Sequence, residues 1–274
     1  MSAHPAPPGA STPRVSRVAD RLAALGDATL DVFEQVGRFS QLALGVVGVL
    51  LRRGVRAREL VVQFESIAVR SSSIVAITAL FTGMVLALQT ASSLSRFGAK
   101  PYTGSFVALA FVLELGPVLT ALMISGRVGA GIAAELGSMS VTEQVDAIRA
   151  LGADPVHRLV LPRVLAATLG LPMLTVAANL LGIVGGLLIA AQLGIGANFY
   201  LQSVLNVVTV EHFLQSIEKA VMFGWIVSMV GCHVGLATTG GTVGVGQATT
   251  RAVVAASIAV LVSDFFLTKL LLAT

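Results

Sequence analysis

The sequence predicts an all-α polytopic membrane protein. Charged residues make up 12% of the 274 positions, half the roughly 25% of an ordinary soluble domain. Hydrophobic residues make up 55%, and the mean hydropathy is +0.88. The apolar residues gather into long uncharged runs, each bounded by arginine, lysine or a Gly/Asn break, as expected of helices about 20 residues long that cross a bilayer.

Taken in order, residues 1–13 are a Pro/Ala/Ser-rich stretch that reads as a disordered tail, with a lead-in to about residue 27. Residues 28–274 are expected to form the helical membrane body. The segment 28–62 is expected to be an N-terminal interfacial helix, because its uncharged piece Phe39–Leu51 has only 13 residues, too few to span. Arg52, Arg53, Arg56 and Arg58 would sit among anionic headgroups. Five spans are expected at about 71–95, 103–134, 158–193, 217–238 and 251–272. Gly116-Pro117 should bend the second, since proline lacks the N–H that a helix interior needs; Pro172 should kink the third. Gly194-Ile-Gly196-Ala-Asn198 ends the third, a polar connection runs to about 215, and a Gly/Thr-rich loop, Thr238–Thr250, precedes the fifth.

The net charge is +4 and the pI about 9.8. No Lys/Arg cluster is interleaved with aromatics, so topology, not nucleic acid, accounts for the excess. With the N-terminus inside, cytoplasmic segments hold 13 Lys/Arg (nine up to Arg70, then Arg149, Arg158, Arg163 and Arg251), against Arg96, Lys100, Lys219 and Lys269 on the other side. This predicts a cytoplasmic N-terminus, a periplasmic C-terminus and insertion through the mature spans, with no cleavable signal. Cys232 stands alone in an apolar run, and His4, His157, His212 and His233 have no metal-ligand spacing. Neither a metal site nor catalytic residues are expected. The loop Gly240-Gly-Thr-Val-Gly244-Val-Gly246 lacks the Gly-Lys-Ser/Thr of a phosphate loop. No cofactor is expected in this chain, and any ATP would be bound by a partner.

Between spans two and three lies Ser140-Val-Thr-Glu143-Gln-Val-Asp146-Ala-Ile-Arg149-Ala-Leu-Gly152-Ala-Asp154-Pro155. Ser140 and Glu143 have capping-box spacing, Gly152 suits a helix end, and Asp154-Pro155 suits the start of the next helix. Val145, Ile148 and Leu151 share one face; Glu143, Asp146, Ala147 and Ala150 share another. Periodicity leaves two readings open, a membrane-surface connector or a helix that docks in a groove of a soluble subunit.

Asp146-Ala-Ile-x-x-x-Gly152, followed by Leu159-Val-Leu161-Pro162, resembles the coupling motif of ABC importer permeases, with Asp where that motif has Glu and a shorter Gly-to-Pro spacing. The wider context is more specific. Glu114-Leu-Gly-Pro117-Val-Leu, Gly126-Arg127-Val-Gly-Ala-Gly-Ile-Ala-Ala-Glu135-Leu-Gly137, Thr142-Glu143-Gln, Gly246-Gln-Ala-Thr-Thr-Arg251 and Asp264-Phe-Phe-Leu-Thr together resemble the MlaE/YrbE family, permeases of MCE-type lipid transport systems. The resemblance runs from about residue 30 to the C-terminus. It implies an inner-membrane permease that moves phospholipid between inner and outer membranes. Its implied partners are an ATPase, a periplasmic MCE-domain protein and a second copy of itself. It also makes Glu143, Asp146, Arg149, Gly152 and Asp154 the ATPase-coupling residues. A sterol- or fatty-acid-importing YrbE-type permease is the variant within the family. A self-contained secondary transporter is the alternative outside it, though five spans divide into no equal halves.

Ionisable groups at membrane depth are costly and need partners or a polar cavity. Glu114, Arg127, Lys219 and Asp264 are the candidates. Glu114 and Arg127 are 13 residues apart on one helix, about 20 Å, so each needs a partner on another span. Glu114 or Asp264 is expected to meet Lys219 and hold spans two, four and five around a cavity. Matching positions in MlaE-like permeases imply that this cavity takes substrate. Gly126-x-x-x-Ala130 and Gly182-x-x-x-Gly186 fit close helix contact, within the chain or in a dimer seam.

Overall fold

The computed structural model describes residues 14–271 except residue 56, with the backbone alone described for 14–32 and 53; the expected tail 1–13 lies outside these. No strand occurs among the described residues. The chain divides into two units, Met1–Leu44 and Gly45–Thr274. In the first the described backbone is one helix, the start of α1 (Arg14–Arg53), with Glu34 and Arg38 paired one turn apart.

The second unit holds the end of α1 and α2 (Ala57–Ile67), which leads into α3 (Ser72–Ser95). Where one helix was expected over 28–62 there are two, parted at Gly54, whose φ of +63° suits a residue without a Cβ. The second expected span is one helical path in three pieces, α4 (Thr103–Ala110), α5 (Gly116–Ile124) and α6 (Ala130–Val141), joined by π-helical segments at Phe111–Leu115 and Ser125–Gly129. The short helix α7 (Gln144–Ala150) follows. A third π-helical segment, Val156–Val160, opens the third span, α8 (Leu161–Gln192). Then come α9 (Ala197–Val207), α10 (Val210–Leu236) and α11 (Gly241–Leu271). Five helical stretches are long and apolar enough to cross a membrane, Ala57–Ser95, Lys100–Val141, Val156–Gln192, Val210–Leu236 and Gly241–Leu271.

Two expectations about connections fail. The polar connection expected to run to about 215 holds a helix, α9: Tyr200 and Val204 seat it against Ala108 of α4 and Ala190 of α8, and the Tyr200 hydroxyl donates to the Ile183 carbonyl at 3.2 Å. The fourth span consequently begins at Val210, not near 217. The Gly/Thr-rich stretch 238–250 is mostly helix as well. The chain turns at Gly240 (φ +85°) and Gly241 (φ +66°), and α11 starts there, ten residues before its expected start at 251.

The third span is the axis of the bundle. It packs against α3 on one side and α10 on another, and α10 packs in turn on α6 and α11. Small residues set these distances. A Cβ at Gly83 of α3 would lie 2.0 Å from the Gly182 carbonyl oxygen of α8, and one at Gly182 would lie 2.2 Å from the Phe111 ring. Gly182-x-x-x-Gly186 is thus used within the chain, by α3, Phe111 and Tyr200. Gly126 has nothing within 4 Å of a Cβ position.

Candidate functional site

Pro117 begins the construction of a polar cluster in the half of the bundle away from α7. Having no N–H, it leaves the Leu113 carbonyl without its helical donor. The chain answers locally with a π-helical turn, in which the Gly116 N–H reaches back to Phe111. The Leu113 carbonyl receives the Lys219 ammonium from α10 instead, at 2.9 Å. Lys219 is 3% exposed. Its Nζ also donates to Thr268 Oγ1 of α11 at 2.7 Å, and pairs with Glu114 Oε1 at 2.9 Å and Asp264 Oδ1 at 3.1 Å. Thr268 Oγ1 donates onward to Glu114 Oε1 at 3.1 Å. One buried cation thus joins two carboxylates, a hydroxyl and an orphaned carbonyl from the second, fourth and fifth spans. A buried charge persists only with such compensation.

A cavity of about 460 Å³ opens beside this cluster, lined by Glu114, Lys219 and Thr268 together with Glu211, His212 and Gln215 at the start of α10. Leu109 is shared with a second cavity of about 410 Å³ between α4 and α9, whose walls include Tyr102, Phe106 and Phe199. A polar recess therefore adjoins an apolar one.

Arg127 stands apart from the cluster. It lies in the second π-helical segment and donates to Ser71 Oγ at the foot of α3. In the same segment Ser125 Oγ meets Ser257 Oγ of α11 at 3.0 Å. Both π-helical segments of the second span thus carry polar ties to other spans. The sequence marked the first only as a bend at Gly116-Pro117; the missing N–H of Pro117 was the signal that the Leu113 carbonyl would seek a donor.

The other end of the bundle carries α7. The expected capping box does not form. The preceding helix α6 runs on to Val141, so the Ser140 hydroxyl points back into the bundle, 3.3 Å from both the Leu236 and Thr238 carbonyls. α7 starts at Gln144 after Glu143, the one non-glycine with positive φ (+59°) among the described residues, which makes no side-chain cap. α7 has seven residues, shorter than the sequence implied. Its end is as expected: Gly152 (φ +75°) donates to Arg149 O and Ala153 to Ile148 O, a Schellman closure. Asp154 Oδ1 then accepts from Val156 N at 2.9 Å, capping the helix that Pro155 opens.

Of the apolar face expected on α7, only Val145 is buried; Leu151 is 85% exposed. Glu143, Asp146 and Arg149 are exposed, and Arg149 Nη1 pairs with Asp146 at 3.0 Å. On either side of α7, Glu135 of α6 and the buried Arg163 of α8 pair at 2.7 Å. The sequence counted Arg163 only as a loop charge, and nothing in the spacing linked it to Glu135. Among the described residues no group of three or more His, Cys, Asp or Glu is arranged to hold a metal.

Comparison with known proteins agrees with this architecture. A family model described as Permease MlaE matches residues 60–270, from within α2 to the last turn of α11. A probable ABC transporter permease protein of Rickettsia felis is 39% identical over 248 residues, covering 90% of this chain and 96% of that protein. One of Synechocystis sp. is 41% identical over 223 residues, covering 81% and 85%. The chloroplastic protein Trigalactosyldiacylglycerol 1 of Arabidopsis thaliana is 37% identical over 221 residues, covering 80% of this chain and 63% of that protein. With five membrane-length helices, a family match over most of its length and relatives at this identity, the chain belongs to the MlaE family of ABC transporter permeases.

Proposed function

We propose that this chain is the membrane subunit of an ABC-type lipid transporter, working as two copies driven by two copies of a separate ATPase. The observation that carries the reading is the disposition of α7. It is a short helix with an exposed acidic and basic face, tied at its base through Ser140 to the end of α10 and the turn after it, at the opposite end of the bundle from the Lys219 cluster and its cavity. Glu143, Asp146 and Arg149 form the face that the ATPase grips, and Gly152 and Asp154 fix the turn that holds that face in place. The positive charge of the α7 side, counted from the sequence, makes that side cytoplasmic and the C-terminus periplasmic. The chain carries no Gly-Lys-Ser/Thr loop, so hydrolysis belongs to the partner.

A closing ATPase would move α7 and with it α6. Ser140 carries the motion to the turn between α10 and α11, and the Glu135–Arg163 pair carries it to α8. The far ends of the second, fourth and fifth spans meet at Lys219, so relative motion there changes the shape of the two cavities. The polar recess suits a lipid headgroup and the apolar one an acyl chain. The name of the Arabidopsis relative is itself that of a diacylglycerol lipid. An MCE-domain protein on the periplasmic side is the acceptor or donor.

Purified permease with its co-expressed ATPase, reconstituted in vesicles with a fluorescent phospholipid, tests this. ATP should drive lipid transfer, and Lys219→Glu, which gathers three carboxylates, should abolish it. Transfer and assembly both intact in Lys219→Glu would exclude the cavity from the pathway; transfer driven by a pH gradient without ATP would contradict the ABC reading.

A further inference from the structure

A second charged cavity lies at the α7 end, remote from the Lys219 cluster. It measures about 390 Å³ and is formed where α2 crosses the start of the third span, with Arg58, Glu59 and Val62 on one wall and Arg158, Pro162 and Arg163 on the other. This volume falls within the range of small-molecule pockets, about 300–1,000 Å³. Three guanidinium groups and one carboxylate line it. Arg163 is 4% exposed, and its Nη groups are engaged by Glu135 at 2.7 Å and the Leu159 carbonyl at 2.5 Å. Its Nε is buried and has no hydrogen-bond partner. Arg58 and Arg158 are exposed and have no ion-pair partner among the described residues.

A buried N–H without an acceptor is costly, and here it belongs to a residue that lines a cavity flanked by two unpaired cations. An anion with several acceptor oxygens pairs with the two exposed guanidinium groups and lies beside the third, whose buried positive charge favours it. The wall changes from charged to apolar within one turn of α2: Arg58 and Val62 are four residues apart, and Val61 and Val62 are both more than half exposed. A step of this kind from charged to apolar wall matches the step from phosphate to hydrocarbon in a lipid. The third π-helical segment, Val156–Val160, sets the geometry by carrying Arg158 and Leu159 into the wall.

We infer that this cleft binds a phosphate group, in the membrane the phosphate of an anionic lipid headgroup, through Arg58, Arg158 and Arg163. The site is separate from the proposed transport cavity and does not depend on the transport reading, since binding is measured on the isolated chain. The probe is dihexanoyl phosphatidic acid, titrated into the full-length protein in detergent by calorimetry, with dihexanoyl phosphatidylcholine and inorganic phosphate as comparisons. Saturable binding of the phosphatidic acid is expected, tighter than that of the zwitterionic lipid. The exposed-residue variant Arg58→Gln/Arg158→Gln should weaken it roughly tenfold or more, the worth of one to two charge-assisted hydrogen bonds, without loss of helicity. Glu59→Gln, which removes the carboxylate from the cavity wall, should tighten it. Competition by inorganic phosphate at similar concentration would assign the cleft to phosphate anions generally; absence of competition would assign it to the lipid. Binding unchanged in the double arginine variant, or no saturable binding in the wild type, overturns the inference.

Discussion

Lys219 shows how a single proline propagates into tertiary structure. Pro117 leaves one carbonyl without a donor, and a lysine on another helix supplies it while neutralising two carboxylates. Removing one member of a buried ion pair commonly costs 3–5 kcal/mol, because the remaining charges lose their compensation. Asp264 is largely buried and Glu114 is partly open to the cavity, so the lower part of that range applies. Lys219→Met should therefore destabilise the protein by about 3 kcal/mol in mixed-micelle unfolding. Adding Glu114→Gln and Asp264→Asn should recover most of the loss. A single variant indistinguishable from wild type would mean that the cluster contributes nothing to the fold. The sequence made the pairing itself legible, since an intramembrane charge needs a partner and few were on offer. It did not make the Leu113 and Thr268 contacts legible, because a neutral acceptor 49 or 106 residues away leaves no trace in charge or spacing.

Among the elements, α7 departs furthest from its expected form. Its C-terminal stop was visible in Gly152 because only a residue without a Cβ takes φ +75° cheaply. Its N-terminus was not visible. Ser140-x-x-Glu143 matches a capping box, yet the hydroxyl is held by two carbonyls 96 and 98 residues further along the chain. Glu143 instead occupies a left-handed conformation that costs a side chain of its kind about 1–2 kcal/mol. Glu143→Gly should accordingly leave stability unchanged or raise it by about 1 kcal/mol, while lowering stimulation of the ATPase through the lost carboxylate. Gly152→Ala should cost about 1 kcal/mol and impair both. Thermal unfolding read beside ATPase stimulation separates the two effects; a Glu143→Gly protein with full stimulation would remove Glu143 from the docking face. The helix α9 was missed for a different reason. Its Asn and Gln read as a polar connection, while Tyr200 and Val204, one turn apart, are the apolar pair that seats the helix.

At the scale of the whole molecule, the number and order of the spans were legible because apolar runs of bilayer length leave few alternatives. Their starts were less so, since both α10 and α11 begin in polar or Gly/Thr-rich sequence that tertiary contacts make helical. The difference between the two ends emerges only in three dimensions: polar ties to other spans at the π-helical segments of the second span, a cavity pair at one end, the short exposed helix α7 at the other. The proposal that α7 passes the work of an ATPase to the lipid cavities is tested most directly by reversing its acidic face. Glu143→Lys/Asp146→Lys permease, co-expressed with the ATPase, should insert in the membrane at wild-type level yet lose co-purification of the ATPase or its stimulation. A doubly reversed permease that binds and stimulates the ATPase as the wild type does would contradict the account.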